Sequence, residues 1–405
     1  MRLDNHGYSP TVLQLIARAA GRFASFADAA FALGLAGVPI SARHLARIAA
    51  EVGDELVRRR DEQVVRRRRR QLAARVAAPP AVVAVEVDGG RLRTRAADGG
   101  PGAHQPQYKE EKIACLVNLH TATVEQDPQP LPPASFLCPR RVRRLVQKIK
   151  GHAGEQTQEE AGQEDATEAA PAPAEREPAR PKGPDRVRTC VATMRDSRCF
   201  GPMVAAEAQE RDFYRAQRRA FVADGAAYNW SIHKGYFADF EPIADLLHVL
   251  CYLYLAAQAT GADDAERWSL YVRWLEACWR GRVSEVLAVL RVRQGEIGEP
   301  PKGEERDEKD PRRLVADALS YLGNNRSRMD YPRYRRQGLP ITSSLAESLV
   351  GEFNARVKGR GKFWNRPLGA EPILQLRAAV LSEDERLARH FAQRPGNPYR
   401  RRQTG

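Results

Sequence analysis

Three acidic residues have positions that suit metal-dependent chemistry on a phosphodiester. Asp88 follows the valine-rich segment AVVAVEV, Asp224 follows AFVA, and a glycine comes directly after each aspartate. Glu347 lies in the segment TSSLAES, at the predicted start of a helix. Three carboxylates can hold a pair of divalent cations that activate a water or a hydroxyl and stabilise the leaving oxygen. Mg²⁺, with Mn²⁺ as an alternative, is the expected cofactor because it prefers oxygen ligands.

Each of these acids also has a simpler interpretation. A single Asp-Gly step after a strand is most often a turn. Ser344 and Glu347 have the spacing of a capping box, in which the serine caps the helix and the glutamate bonds back to the backbone. Two Asp-Gly steps followed by a glutamate form a more specific pattern than any one of them. For Glu347, a capping role and a metal-binding role therefore both stay open.

The helix that contains Glu347 is predicted to be amphipathic. At about 100° per residue, one face carries Leu345, Leu349 and Phe353. The opposite face carries Glu347, Gly351, Asn354 and Lys358. Such a polar face fits either solvent or a metal site with a DNA backbone beside it, which makes Asn354 and Lys358 candidate phosphate contacts.

A second polar pair lies in the segment DLLH. Asp245 and His248 are one helical turn apart, so their side chains can act together. They are candidates for supporting the metal ligands or for contacting a phosphate. The alternative is a polar pair that only terminates a helix. Glu86, two residues before Asp88 on the same strand face, is a neighbouring acid.

Composition indicates a polyanionic partner. The chain has 405 residues and a formal net charge of +14, which is typical of nucleic-acid-binding proteins. A generally basic proteome would give the same balance. The six cysteines include no Cys-x-x-Cys pair, so a zinc ribbon is not expected. The polar start and the Asp245 and His248 inside the longest apolar stretch predict a cytoplasmic protein without a membrane span.

The order of segments predicts an α/β fold with a mixed central sheet, an all-α insertion and a helical N-terminal region. Residues 1–78 contain two helices joined by GLAGVP, with Ser41 as the cap of the second, which resembles a helix-turn-helix. Residues 79–240 supply the strands, and 153–185 form a predicted disordered loop. Residues 241–335 are the helical insertion, and 336–405 hold the last helices and a basic tail.

The segments HGYSPTVLQLIARAA, VVAVEVDGGRLRTRA, DGAAYNW, DLLH and LPITSSLAES together carry a family resemblance. Through them the chain resembles the ISKra family of bacterial insertion-sequence transposases, of the DDE class with a ribonuclease-H-like core. The resemblance implies a catalytic and metal-binding triad of Asp88, Asp224 and Glu347, and His248 matches the histidine that follows the second acid. Relatives tend to have more sequence before HGYSP, so we expect a shortened start.

The implied activity is DNA strand cleavage at the ends of a mobile element, followed by strand transfer into target DNA. Double-stranded DNA is then the partner, with a homo-oligomer assembled on it in a bacterial cytoplasm, at the nucleoid. Phosphate contacts are expected from Arg66, Arg67, Arg68, Arg69 and Arg70, and from Arg360 and Lys362. Trp364 is a candidate for stacking on a displaced base, although packing in the core is the favoured interpretation.

Two other functions remain open from the sequence. The chain is alternatively a non-catalytic helix-turn-helix DNA-binding protein, in which the acids are dispensable, or an inactive, truncated remnant of a transposase. Metal-dependent cleavage that is lost in Glu347→Gln separates the catalytic interpretation from both.

Overall fold

The structure of the chain, a computed structural model, describes residues 7–95, 107–151, 187–301, 307, 309–358, 364–365 and 368–394. The predicted loop 153–185 and the predicted phosphate contacts Arg360 and Lys362 lie outside the described residues, as does the basic tail. Across the described ranges, no helix combines the length and the apolar character needed to cross a bilayer.

The described residues include a five-stranded mixed sheet. Its strands are β1 (Val82–Thr94), β2 (Gln107–Leu119), β3 (Arg188–Thr193), β4 (Arg218–Ala223) and β5 (Glu241–Ala244). Their order in space is β3-β2-β1-β4-β5. β2 runs antiparallel to β1 and β3, whereas β1, β4 and β5 run parallel to one another. This sheet, together with the helices packed on it, confirms the predicted α/β class.

Fourteen α-helices surround the sheet in the described part of the chain. They are α1 (Pro10–Arg22), α2 (Phe26–Leu35), α3 (Ala42–Arg68), α4 (Pro139–Lys150), α5 (Ser197–Glu210), α6 (Ala227–Tyr236), α7 (Leu246–Thr260), α8 (Asp264–Trp279), α9 (Val283–Ile297), α10 (Pro311–Asn325), α11 (Tyr331–Arg336), α12 (Ser344–Val357), α13 (Glu371–Leu381) and α14 (Arg386–Gln393). The predicted cap of α3 is confirmed, because Ser41 Oγ accepts the His44 amide at 3.2 Å.

Two strand predictions were wrong in detail. β1 does not end at Asp88, because its pairing with β2 continues to Thr94 and Gln107 and keeps the chain extended. The stretch from Phe240, predicted to be helical from its start, instead begins with β5. Pro242 has no N–H to donate, and β5 lies at the edge of the sheet, where one unpaired side is tolerated.

α5 begins before the proline that it contains. The Asp196 carboxylate accepts the Cys199 amide at 3.0 Å and caps the first turn, so the helix begins at Ser197. Pro202 lies inside this helix, where it cannot donate a backbone hydrogen bond.

The two faces of the sheet contact different helices. Alternate residues of β1 lie on opposite faces, so Val83, Val85 and Val87 pack with α5 and α6 in one buried cluster. On the other face, Val82 and Ala84 pack with α4 and α7 to α11. The rest of that second face, formed by β2 and β3, is covered by α12, α13 and the N-terminal helices. Glu86 and Asp88 belong to this second face.

The N-terminal helices share a hydrophobic core with the end of the chain. α1, α2 and α3 contribute to the buried cluster that also contains α12 and α13. Arg356 of α12 donates to the Ala20 carbonyl at 3.1 Å, and Arg377 of α13 donates to the Arg22 carbonyl at 3.1 Å. These contacts tie α1 to the two helices that lie over the sheet beside Asp88.

The contact between α3 and α13 depends on a glycine. A Cβ on Gly53 would lie 2.3 Å from the Pro372 carbonyl oxygen, which belongs to the backbone and cannot rotate away. We expect Gly53→Ala to lower the free energy of unfolding by roughly 1–3 kcal/mol because it forces α3 away from α13. Chemical denaturation measures this change.

The matched control is Gly34→Ala in α2, where an added Cβ has no neighbour within 4 Å among the described residues. This variant should be neutral or more stable by up to about 1 kcal/mol, because alanine favours the helix. Equal stabilities for the two variants would contradict the close packing of α3 on α13.

Candidate active site

Three aspartates meet at the carboxyl edge of the parallel strands. The parallel registers pair Val87 with Ala223 and Ala223 with Ala244. Asp88, Asp224 and Asp245 are the next residues along β1, β4 and β5, so they lie side by side where this parallel pairing ends. The carboxyl edge of parallel strands is where α/β proteins commonly bind ligands. Asp245, predicted only as a supporting residue, thus follows its strand just as Asp224 does.

Asp88 is influenced by the other acids of this edge. Its pKa is raised to about 6, chiefly by burial and also by the negative charges of Asp224 and Asp245. The positive charge of His248 and the Gly89 amide, which donates to Asp88 Oδ1 at 2.7 Å, act in the opposite direction. The four side chains therefore form one electrostatic group.

Asp224 directs its carboxylate toward the start of α6. Its Oδ1 accepts the Ala226 amide at 2.9 Å and the Asn229 side-chain amide at 2.8 Å. Gly225 takes a left-handed φ of 88°, and a Cβ there would lie 2.7 Å from the Tyr321 ring. The glycine after this aspartate is therefore required by both the turn and the packing. Asp224 is therefore part of a turn and also belongs to the group of acids at the sheet edge.

The start of α12 is held by two buried carboxylates rather than by a capping box. Glu86 Oε2 accepts the Ala346 amide at 2.9 Å. Asp245 accepts the Ser343 amide at 3.1 Å and the Ser343 hydroxyl at 2.5 Å. Ser343 is the N-cap residue, and no side chain of α12 caps this end. The predicted cap by Ser344 was wrong, because acids distant in sequence supply the acceptors.

Glu347 is consequently not engaged in capping. Its side chain is only 9% exposed, and its Oε1 has no hydrogen-bond partner among the described residues. Lys148 of α4 approaches Oε2 at 3.7 Å. Burial, followed by the charges of Asp245 and Asp88, raises the Glu347 pKa to about 7. A buried acceptor without a donor is costly, so this oxygen is suited to a bound cation.

Glu347 forms a compact group with Asp245 and His248. Ligand atoms from these three residues all lie within 4.8 Å of one another, a spacing compatible with one metal ion. Asp88 and Asp224 are not part of this compact group, although Asp88 is near enough to raise the Glu347 pKa. The compact group therefore joins Glu347 to Asp245 and His248, rather than to the two other acids of the expected triad.

The donor set fits a divalent cation. Glu347 offers an unpartnered buried oxygen, and His248, whose Nε2 lies 3.8 Å from Asp245 Oδ2, offers an imidazole nitrogen. Asp245 is completely buried and already accepts three hydrogen bonds, from Leu247 and from the amide and hydroxyl of Ser343. Its contribution is thus mainly to position α12 and His248. An imidazole among carboxylates suits Mn²⁺ at least as well as Mg²⁺.

The predicted phosphate contacts lie at different distances from this group. Asn354 is on the polar face of α12, as expected, with Leu349 and Phe353 buried on the other face. Lys358 was expected on the same face, but it follows the helix as its extended C-cap residue. Lys358 is exposed, and Asn354 Oδ1 is buried without a partner among the described residues. Trp364 packs against the same buried cluster, and its indole N–H donates to the Val357 carbonyl at 3.0 Å. Its packing agrees with the favoured interpretation.

The arginine run lies on the other side of the sheet. Arg67 is half-buried and stands 5.7 Å from the ring centres of Tyr214 and Tyr236, which border the cluster beneath α5 and α6. Arg66, Arg68, Arg69 and Arg70 are exposed at the end of α3. The preceding part of α3 is packed on α13, so the predicted helix-turn-helix is joined to the core. Its DNA binding stays a prediction.

A basic helix beside Glu347 was not assigned to the site from the sequence. α4 has no acidic residue, and it packs against α7 through Val142 and Val146. Arg140, Arg141, Arg143 and Arg144 are exposed and make no ion pair within the described chain. The sequence shows that nearly every solvent-facing position of α4 is basic. Only the contact between Lys148 and Glu347 shows that this basic surface lies beside the acids.

In the absence of divalent cations, we expect the free energy of unfolding to fall as pH rises from about 4.5 to about 7. The Glu347 pKa rises from 4.5 to about 7 on folding, so the folded state holds the proton more tightly in this window. Stability is complete below the lower value and is lost as the carboxyl ionises, by roughly 2–3 kcal/mol. Denaturation in EDTA at a series of pH values measures this slope.

Glu347→Gln should make this profile shallower because glutamine does not titrate, whereas Asp88 and Glu111, whose pKa values are also raised, keep their share of the slope. Glu352→Gln is the matched control on the same helix, where Glu352 is paired with Arg22 and Arg188. The control should keep the wild-type slope. A Glu347→Gln profile as steep as that of the wild type would show that another group causes the dependence.

Comparison with known proteins adds no family assignment. Neither a scan against models of protein families nor a search of curated proteins gives a match for this chain. The arrangement of the acids, the basic helix beside them and the resemblance of the sequence segments therefore carry the functional inference.

Proposed function

We propose that the protein is a DDE-type transposase of an insertion sequence, which cleaves DNA strands at element ends and joins them to target DNA in a metal-dependent reaction. The observation that carries the proposal is the convergence of Asp88, Asp224 and Asp245 with Glu347 at one edge of the sheet, where a buried oxygen of Glu347 has no donor among the described residues. Five strands of mixed direction are compatible with the ribonuclease-H-like core that the resemblance implies.

In this proposal Asp88, Asp224 and Glu347 are the metal ligands, and His248 completes the site. A divalent cation, when bound, supplies an activated water or 3′-hydroxyl and stabilises the leaving oxygen. Asp245 and Glu86 hold the start of α12, which sets the position of Glu347 relative to the sheet edge. Such positioning matters because displacement of a reacting group by about 1 Å can cost about 100-fold in rate.

The surface around the acids supports a DNA substrate. α4 presents its exposed arginines beside Lys148, which contacts Glu347, so positive charge borders the acidic edge. Phosphates bound along α4 would bring a DNA strand to the acids, and the arginines would contact the backbone without reading bases. The net charge of +14 favours the same class of partner.

Cleavage of DNA in Mg²⁺ or Mn²⁺ tests the catalytic role. The substrate is a labelled linear duplex that carries the sequences flanking the coding region, and a shuffled duplex serves as the reference. We expect Glu347→Gln, Asp88→Asn and Asp224→Asn to lower the cleavage rate by about 100- to 1000-fold, since a metal supplies several kcal/mol of transition-state stabilisation.

Glu352→Gln, on the same helix but outside the site, should retain cleavage. Metal-dependent cleavage that survives Glu347→Gln would overturn the triad. DNA binding without any cleavage by the wild type, in both cations, would instead favour a non-catalytic DNA-binding protein or an inactive remnant.

Salt-dependent DNA binding in EDTA tests the role of α4. Replacing Arg140, Arg141, Arg143 and Arg144 with alanine should reduce the slope of log K against log [salt] by about 3–4, because each lost phosphate contact contributes about 0.9. Fluorescence anisotropy with a labelled duplex measures both slopes.

The comparison variant replaces Arg66, Arg68, Arg69 and Arg70, which lie at the end of α3 on the other side of the sheet. It removes the same number of exposed arginines. If the α3 variant loses the slope and the α4 variant does not, DNA follows the N-terminal helices rather than the surface beside Glu347.

A further inference from the structure

A buried carboxyl group on β2 lies beside the site and is not explained by the contacts above. Glu111 is 0% exposed, and neither of its carboxylate oxygens has a hydrogen-bond partner among the described residues. A carboxyl group buried in this way costs free energy unless it is paired with a cation or with donors. Its position therefore calls for a partner that the described residues do not provide.

The strand register puts Glu111 on the same face of the sheet as Asp88. Asp88 is opposite Ile113, and Gly90 is opposite Glu111, so the two acids lie on neighbouring strands two positions apart. A Cβ on Gly90 would lie 2.7 Å from Glu111 Oε1. Glycine at position 90 thus leaves the space that the carboxyl group occupies.

Two charged side chains, Lys358 and Asp88, act on Glu111. Its pKa is raised to about 8: burial is the main cause, the positive charge of Lys358 opposes it, and the negative charge of Asp88 adds to it. Asn354 Oδ1, on the polar face of α12, is also buried without a partner in the described part of the chain. The unpartnered atoms of Glu111, Asn354 and Glu347 are all oxygen acceptors, and together they need donors or a cation.

We propose that Glu111 is a further ligand for a divalent, oxygen-preferring cation, which it binds together with Asp88 and with Asn354 as a neutral oxygen donor. This position extends the acidic edge along α12, away from the Asp245, His248 and Glu347 group. The inference rests on the proposed function only in sharing Asp88 with the catalytic acids. Binding of the cation removes the cost of the buried carboxylate, so metal affinity and stability are linked.

Counting bound Mn²⁺ by electron paramagnetic resonance tests the proposal without any DNA. The titration uses the full chain and follows the signal of free Mn²⁺. Glu111→Gln is expected to bind one ion fewer than the wild type, or to bind it at least about 10-fold more weakly, as expected for a lost oxygen ligand. Glu111→Asp, which keeps the charge on a shorter side chain, should weaken the same ion and retain the number of sites.

Thermal unfolding gives a second readout that keeps the test valid if a variant folds poorly. In EDTA, Glu111→Gln should melt about 2 °C or more above the wild type, since the cost of burying an ionisable carboxyl group is gone. In saturating Mn²⁺ that difference should shrink or reverse. Glu110→Gln is the matched control: it is adjacent on β2, 43% exposed and already paired with Lys112, and it should leave the number of bound ions unchanged.

The outcomes separate this inference from the proposed function. Glu111→Gln that binds as many Mn²⁺ ions as the wild type, with equal affinity, overturns the inference even if the wild type cleaves DNA. Loss of an ion in Glu111→Gln, combined with a wild type that cleaves nothing, supports the cation site and contradicts the transposase. A wild type that binds no Mn²⁺ overturns the cation site.

Discussion

The geometry of the site depends on one interaction, the anchoring of the first turn of α12 on two buried carboxylates. Glu86 on β1 accepts the Ala346 amide, and Asp245 at the end of β5 accepts both the amide and the hydroxyl of Ser343. The N-terminus of a helix carries unpaired amides and partial positive charge, so it is a natural partner for buried carboxylates. Because the sheet holds the helix by its backbone, the side chain of Glu347 remains available.

The same arrangement concentrates negative charge where it is costly. Asp88, Glu111 and Glu347 all have raised pKa values, and in each case burial is the first cause. Keeping such groups together lowers the free energy of unfolding, a cost that is common at functional sites. A divalent cation at the proposed metal site would remove the repulsion between these carboxylates.

Positive charge is distributed around this edge by the tertiary structure rather than by sequence order. The longest arginine run, at the end of α3, packs through Arg67 against Tyr214 and Tyr236 on the other side of the sheet. α4 instead places its cations beside Glu347 through Lys148. The N-terminal helices share a buried core with α12 and α13. A ligand bound to the N-terminal helices would therefore contact elements that pack directly on the helix carrying Glu347.

The sequence by itself determined the α/β class, the strand before Asp224, the Ser41 cap and the amphipathic character of α12. These features arise from neighbours in the chain: valine-rich alternation, a capping serine and a 3.6-residue period. Only the tertiary structure decided that β1 continues past Asp88, that Glu86 and Asp245 replace Ser344 as the acceptors for α12, and that Glu111 is buried beside Asp88. Each of these is a contact between residues far apart in the chain. Strand register and helix packing set such contacts, and they cannot be predicted from the local sequence pattern.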